Sequence, residues 1–211
     1  MQNKFVDILK KIFYSFAWIA VLVFIADIVT KWSFQNALKT DGSSFTIINN
    51  FLYITLEHNL GAAWSLGYGL RWLWIIVSVT LSAGLIFYYV KQFKKLSRIY
   101  LICLSLMIGG AVGNMIDRCF YWESIVGFDG VIDWISFQFG SYYFPTFNIA
   151  DSALVIGVAI LIIVMVIELI QDAIKKNKEG AYSLKPKEYE AKMAKEEEES
   201  KEKPQENNEK N

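Results

Sequence analysis

Asp133 and Asp151 stand on either side of an aromatic stretch, Trp134 to Phe147, and Asp151 opens a long apolar segment. A carboxylate taken into a bilayer costs several kcal/mol unless it is paired or solvated, so an acid at the end of a membrane helix is by default a candidate functional residue. Two aspartates that share a proton around a water can hydrolyse an amide without a metal or a nucleophilic side chain, one as base and the other as acid. Like charges about 3 Å apart do not both ionise readily, so such a pair keeps one proton near neutral pH and titrates as a unit. Asp151 follows Asn148 where a helix begins after Pro145, and the helix dipole favours negative charge there. Asp151 is therefore expected to be the more readily ionised member and Asp133 the proton holder.

Other hydrolytic chemistries find little support. His58 is the single histidine, whereas a zinc site of the HExxH kind needs two, and no GxSxG accompanies it. The two cysteines, Cys103 and Cys119, would lie roughly 24 Å apart along a helix rising 1.5 Å per residue. That is too far for a disulfide, and the plain reading is a small packing residue and a free thiol.

Four elements must position the acids. The chain has 211 residues, 54% of them hydrophobic and 16% aromatic, with a formal net charge of zero. The charges gather before Phe13 and after Glu168, so the neutral total averages a membrane body with a soluble tail and says little about partners. The first apolar run follows Lys4, Lys10 and Lys11. It is longer than a signal-peptide core and no small-x-small cleavage site follows it, so a retained helix is expected. Trp72 to Val90, Ile99 to Ile116 and Ser152 to Ile167 also approach the roughly 20 residues that span a bilayer. The expected fold is an α-helical integral membrane protein with four transmembrane helices, about 12–31, 71–90, 99–118 and 149–170, in a domain covering 1–174. From Lys175 the composition turns to Lys, Glu, Asn and Gln, which cannot bury a core, so 175–211 is expected to be a disordered tail.

Orientation follows from the bases. The N-terminus, the Lys91–Arg98 connection and the segment with Lys175, Lys176 and Lys178 are basic, while 119–150 carries Glu123, Asp129 and Asp133 and, beyond Arg118, no base. By the positive-inside rule both termini are cytoplasmic. Asp27, Lys31, Asn59, Asn114, Asp117, Arg118, Asp133, Asn148 and Asp151 are thereby gathered at the outer face.

The outer loop 32–71 contains Phe51 to Glu57, where Leu52, Ile54 and Leu56 alternate with Tyr53, Thr55 and Glu57, the period of a strand. With Phe45 to Ile48 as hairpin partner it makes a small β-cradle, about 44–59. Asn59 to Gly67 is expected to form a short interfacial helix, with Trp64, Trp72 and Trp74 at headgroup depth. In the third helix Gly109 and Gly113 form a GxxxG that admits a close neighbour. Asn114, Asp117 and Arg118 share a face there, and Asp27 and Lys31 are set for an i,i+4 ion pair. These residues alone leave three readings open: an acid dyad, a transporter vestibule, or a scaffold whose ion pairs lock helix ends. Uninterrupted second and fourth helices weigh against a through-path.

Five blocks decide between them: Asp27-Ile28-Val29-Thr30-Lys31, Asn59-Leu60-Gly61-Ala62-Ala63-Trp64-Ser65, Gly109 to Arg118, Val131-Ile132-Asp133-Trp134 and Phe147-Asn148-Ile149-Ala150-Asp151. In order and type they closely resemble the bacterial lipoprotein signal peptidases, or signal peptidase II, from about Asp27 to Ile170. The resemblance implies a membrane aspartyl endopeptidase with an extracytoplasmic β-cradle, in the inner membrane. It would cut a prolipoprotein just before the cysteine that carries a diacylglyceryl group. By the resemblance Asp133 and Asp151 are the catalytic pair. Asn59, Gly61, Asn114, Arg118 and Asn148 fall among the motif residues around the scissile region, and Asp27, Lys31 and Asp117 support them. It further implies no metal or organic cofactor, partners that are lipoprotein precursors and membrane lipids with no nucleic acid, and binding of globomycin-like cyclic peptides. Two departures stand out: the 119–130 stretch is longer than the family spacing, with Asp129 as a rival acid lacking the apolar pair before it, and the charged tail lies outside the common core.

Overall fold

The computed structural model describes residues 13–61, 70–120 and 130–201. The expected short helix after Asn59, the 119–130 insertion and Asp129 fall largely or wholly outside them. The helices are α1 (Ala17–Leu38), α2 (Arg71–Gln92), α3 (Arg98–Phe120) and α4 (Ile149–Lys201), and the strands are β1 (Ser44–Ile48), β2 (Leu52–Asn59), β3 (Val131–Phe139) and β4 (Tyr142–Tyr143). Four helices among the described residues are long and apolar enough to cross a membrane. With the small antiparallel sheet they make the four-helix membrane architecture expected from the sequence.

The chain forms two compact units, Met1–Leu161 and Ile162–Asn211. In the first unit α3 is central: half of its apolar window is buried, against 11% for each of the other spans. Its glycines explain the close approach. A Cβ at Gly109 would meet the Ala20 carbonyl of α1 at 2.7 Å, and one at Gly113 would meet Asp27 Oδ2 at 2.6 Å. Gly110 faces the Ala150 carbonyl of α4. The predicted GxxxG thus serves two neighbours, α1 through both of its glycines and α4 through the glycine between them. Both cysteines are free.

Two boundaries differ from expectation. Helix α1 begins at Ala17, after Phe16 in the left-handed region, and runs on past Lys31 to Leu38, where Lys39 closes it with a positive φ of 60°. The ammonium of Lys31 is neutralised inside the bundle, so its charge does not end the helix. The four-stranded sheet runs β1-β2-β3-β4 with antiparallel neighbours. The aromatic stretch after Asp133 is therefore largely a strand and not a loop. Asn59 pairs with Val131 and Glu57 with Asp133 across the β2–β3 register.

The described part of the second unit, Ile162 to Lys201, is helix throughout. Composition predicts disorder from 175 onward, whereas the described residues there are helical. The run is rich in Glu and Lys, which have good helix propensity and account for helix without a core; Glu190, Lys195 and Glu197 are exposed.

Candidate active site

Three asparagines and two aspartates form one hydrogen-bonded cluster in the first unit. Asn148 is the N-cap of α4 and Asp151 its third helical residue, and the two cap each other. The Asp151 N–H donates to Asn148 Oδ1 at 2.9 Å, and the Asn148 N–H donates to Asp151 Oδ2 at 3.2 Å. This is the reciprocal logic of a capping box, with Asn and Asp in place of Ser and Glu. It also fixes the Asn148 amide, because an oxygen facing an N–H leaves the nitrogen facing the other way. Asn148 Nδ2 donates to Asp133 Oδ1 at 2.7 Å and lies 3.2 Å from the Ile132 carbonyl. One residue therefore holds both acids, one by its backbone and the other by its side chain.

Strand β2 supplies the second donor to Asp133. Asn59 Oδ1 accepts the Gly61 N–H at 3.0 Å, which turns Asn59 Nδ2 toward Asp133 Oδ2 at 3.1 Å. Asp133 is only 2% exposed. Burial first, and then the charge of Asp151, push its carboxyl well above the ordinary carboxylate range, against the Asn59 hydrogen bond, the Lys31 charge and the Asn148 hydrogen bond. Asp151 is half-buried.

An ion cluster joins the pair through Asn114. Lys31 Nζ stands 2.6 Å from Asp27 Oδ2 and 2.7 Å from Asp117 Oδ2, and all three side chains are fully buried. The i,i+4 pair read from α1 is present, and α3 adds the second carboxylate. Each carboxylate also accepts a backbone N–H from an element carrying one of the acids: Asp27 Oδ1 from Ala150 at 2.9 Å and Asp117 Oδ2 from Ile132 at 3.3 Å. Asn114 Nδ2 donates to Asp151 Oδ1 at 2.7 Å. Arg118 donates to the Asn114 and Gly61 carbonyls, each at 3.4 Å, tying the end of β2 to α3.

The structure thus brings together the ten residues that the resemblance assigns to the site: Asp27, Lys31, Asn59, Gly61, Asn114, Asp117, Arg118, Asp133, Asn148 and Asp151. It adds contacts that sequence reasoning missed. Phe34, one turn beyond Lys31, packs its ring 4.3 Å from that of Trp134, and Asp41 Oδ1 lies 3.0 Å from His58 Nδ1 and accepts the His58 N–H at 3.1 Å. The apolar-aromatic spacing on α1 held a hint of the first; nothing local signals the second. Among the described residues no group of three or more His, Cys, Asp or Glu side chains is arranged to hold a metal ion.

A family model described as signal peptidase (SPase) II matches residues 19–167. The chain belongs to the signal peptidase II family. Lipoprotein signal peptidase of Bacillus pumilus is 38% identical to it over 150 residues, covering 71% of this chain and 91% of the relative. That of Geobacillus thermodenitrificans is 43% identical over 147 residues, covering 70% and 86%. A solved structure described as a bacterial membrane enzyme, obtained by the in meso method at 2.3 Å resolution, superposes with a TM-score of 0.59 at 35% identity, covering 72% of this chain and 87% of the other. The matched span includes the whole cluster, from Asp27 to Asp151, and ends before the charged C-terminal segment. Membership makes the chain a peptidase and a multi-pass membrane protein.

Proposed function

We propose that this protein removes the signal peptide from diacylglyceryl-modified prolipoproteins, cutting on the N-terminal side of the lipidated cysteine, with Asp133 and Asp151 as an aspartyl dyad. The observation that carries this reading is the shared hold of Asn148 on the two acids. It fixes their relative placement while their environments differ, one deeply buried, the other half-exposed at a helix N-terminus. Pairs of acids whose environments push their proton affinities apart divide the roles of acid and base. Asp151 accepts a proton from the attacking water while protonated Asp133 gives its proton to the carbonyl oxygen; as the C–N bond breaks, the proton on Asp151 passes to the leaving amine and Asp133 recovers one from the diol hydroxyl. Asn59 and Asn114 keep the carboxylates in place through both steps. The basic residues at Lys91–Arg98 and at the N-terminus support a cytoplasmic location for both termini, with the dyad toward the extracytoplasmic side. A globomycin-like cyclic peptide is expected to compete with substrate.

The test is purified protein in detergent with a diacylglyceryl-modified precursor. Release of the signal peptide is expected from the parent chain and not from Asp133→Asn or Asp151→Asn, both folded by thermal unfolding. Wild-type cleavage by either variant removes that residue from the dyad.

A further inference from the structure

The Asn114 amide has two polar atoms and, by itself, no preference for which faces which neighbour. Its orientation is decided on one side by Lys31. An ammonium has three donors and no acceptor, and Lys31 spends two of them on Asp27 and Asp117 at 2.6 and 2.7 Å. The third reaches Asn114 at 3.0 Å, and only oxygen can receive it. Asn148 Nδ2, 3.1 Å from the same Asn114 oxygen, is also a donor. The Asn114 nitrogen is left to point at Asp151 Oδ1, 2.7 Å away.

We infer that Lys31 is a positioning residue that acts through Asn114: by occupying Asn114 Oδ1 it forces the Asn114 N–H onto Asp151 and so holds that carboxylate as an acceptor ready to take a proton from water. Without the ammonium only the 3.1 Å donor from Asn148 still holds the Asn114 oxygen, and an Asn114 turned with its oxygen to Asp151 suits only a protonated acid and removes the base. Asp27 and Asp117 serve this role in turn. They clamp the ammonium between α1 and α3, and their remaining bonds to the Ala150 and Ile132 N–H groups anchor the clamp beside each acid of the pair. The inference rests on the dyad reading of Asp133 and Asp151.

Removing Lys31 alone strands two buried carboxylates, which is strongly destabilising, whereas replacing a whole buried ion cluster by neutral residues of similar size is often tolerated. The experiment therefore compares the triple variant Asp27→Asn/Lys31→Met/Asp117→Asn, the single variant Asn114→Asp, and their combination, on a diacylglyceryl-modified precursor. Asn114→Asp keeps shape and the Lys31 contact but has no N–H for Asp151. We expect the triple and the single variant each to lose about a hundredfold in kcat, the scale of a misplaced catalytic group, with KM within about twofold because nothing that touches substrate has changed. The combination should be no worse than either, since both act through the same N–H. Wild-type kcat in Asn114→Asp overturns the proposal, as do additive losses in the combination or a triple variant that raises KM without lowering kcat. If the triple variant does not fold, Asn114→Asp is set against Asn114→Asp/Lys31→Arg: equal kcat supports the path through Asn114, and a further large loss in the folded double variant overturns it. Failure of the dyad reading is separate, and shows as activity retained in Asp133→Asn or Asp151→Asn.

Discussion

Asn148 and Asp151 donate to each other, backbone N–H to side-chain oxygen in both directions, at 3.2 and 2.9 Å. The fold's way of starting α4 is thus the same object as the site's way of holding an acid. Asn148→Ala removes the cap, one donor to Asp133 and the fixed partner of the Asp151 N–H. Loss of a helix cap and of buried partners costs about 1–3 kcal/mol, and loss of a preorganised donor typically costs about a hundredfold or more in rate. Thermal unfolding in detergent and precursor cleavage measure the two. Cleavage within a few-fold of the parent would show that Asn148 does not hold the pair.

Asp133 makes stability depend on pH. A carboxyl raised in the folded state by burial and by the charge of Asp151 stabilises the fold while protonated. That contribution is full below the ordinary carboxylate range and is lost as pH rises through the folded-state value. Asn at this position does not ionise. The melting temperature of Asp133→Asn relative to the parent is expected to climb from acid to neutral pH, and a flat difference would contradict the raised carboxyl.

Two glycines on neighbouring spans should behave oppositely. A Cβ at Gly113 would sit 2.6 Å from Asp27 Oδ2 and 3.2 Å from the Ala150 side chain, so Gly113→Ala should cost about 1–3 kcal/mol by overpacking and lower activity by shifting Asp27. Nothing lies within 4 Å of a Cβ at Gly84 in α2, where Gly→Ala should be neutral or stabilise by roughly 0.5–1 kcal/mol. Paired melting curves decide it.

Gly130 has φ +102°, and a Cβ there would lie 2.5 Å from the Asn59 carbonyl. Gly130→Ala both strains the backbone and pushes β3 off β2 at the residue that supplies a donor to Asp133. A loss of about 2 kcal/mol is expected, with cleavage reduced in the fraction that stays folded. An unchanged melting temperature would show that this junction yields.

What the sequence showed depended on whether a residue's partner was near in the chain. The four spans were legible from apolar length, and Asp27 with Lys31, like Asn114 with Asp117 and Arg118, from helical spacing. The second partner of Lys31, Asp117, was not, because nothing in i,i+4 arithmetic says which faces of α1 and α3 meet. Lys31 itself misled: a charge in an apolar run reads as the end of a span, yet the helix continues to Leu38 because that charge is neutralised in place. The lysine therefore lies about 10 Å inside the helix end at 1.5 Å per residue. Strand β3 was obscured for a related reason. Ser136 and Gln138 do alternate with Ile135, Phe137 and Phe139, but so many aromatics flank them that the period was lost in a uniformly apolar stretch.

The three site asparagines also bear on the chemical durability of the site. Asn59, Asn114 and Asn148 each differ from aspartate by a single group, and spontaneous deamidation would exchange a donor for an acceptor without changing the outline of the side chain. The residues that follow them, Leu60, Met115 and Ile149, are bulky, which hinders the attack of the next backbone nitrogen that begins the reaction. The donors that hold the two acids are thereby shielded from the one spontaneous reaction that would turn them into acceptors, and loss of activity on storage is expected to follow unfolding rather than a gain of negative charge.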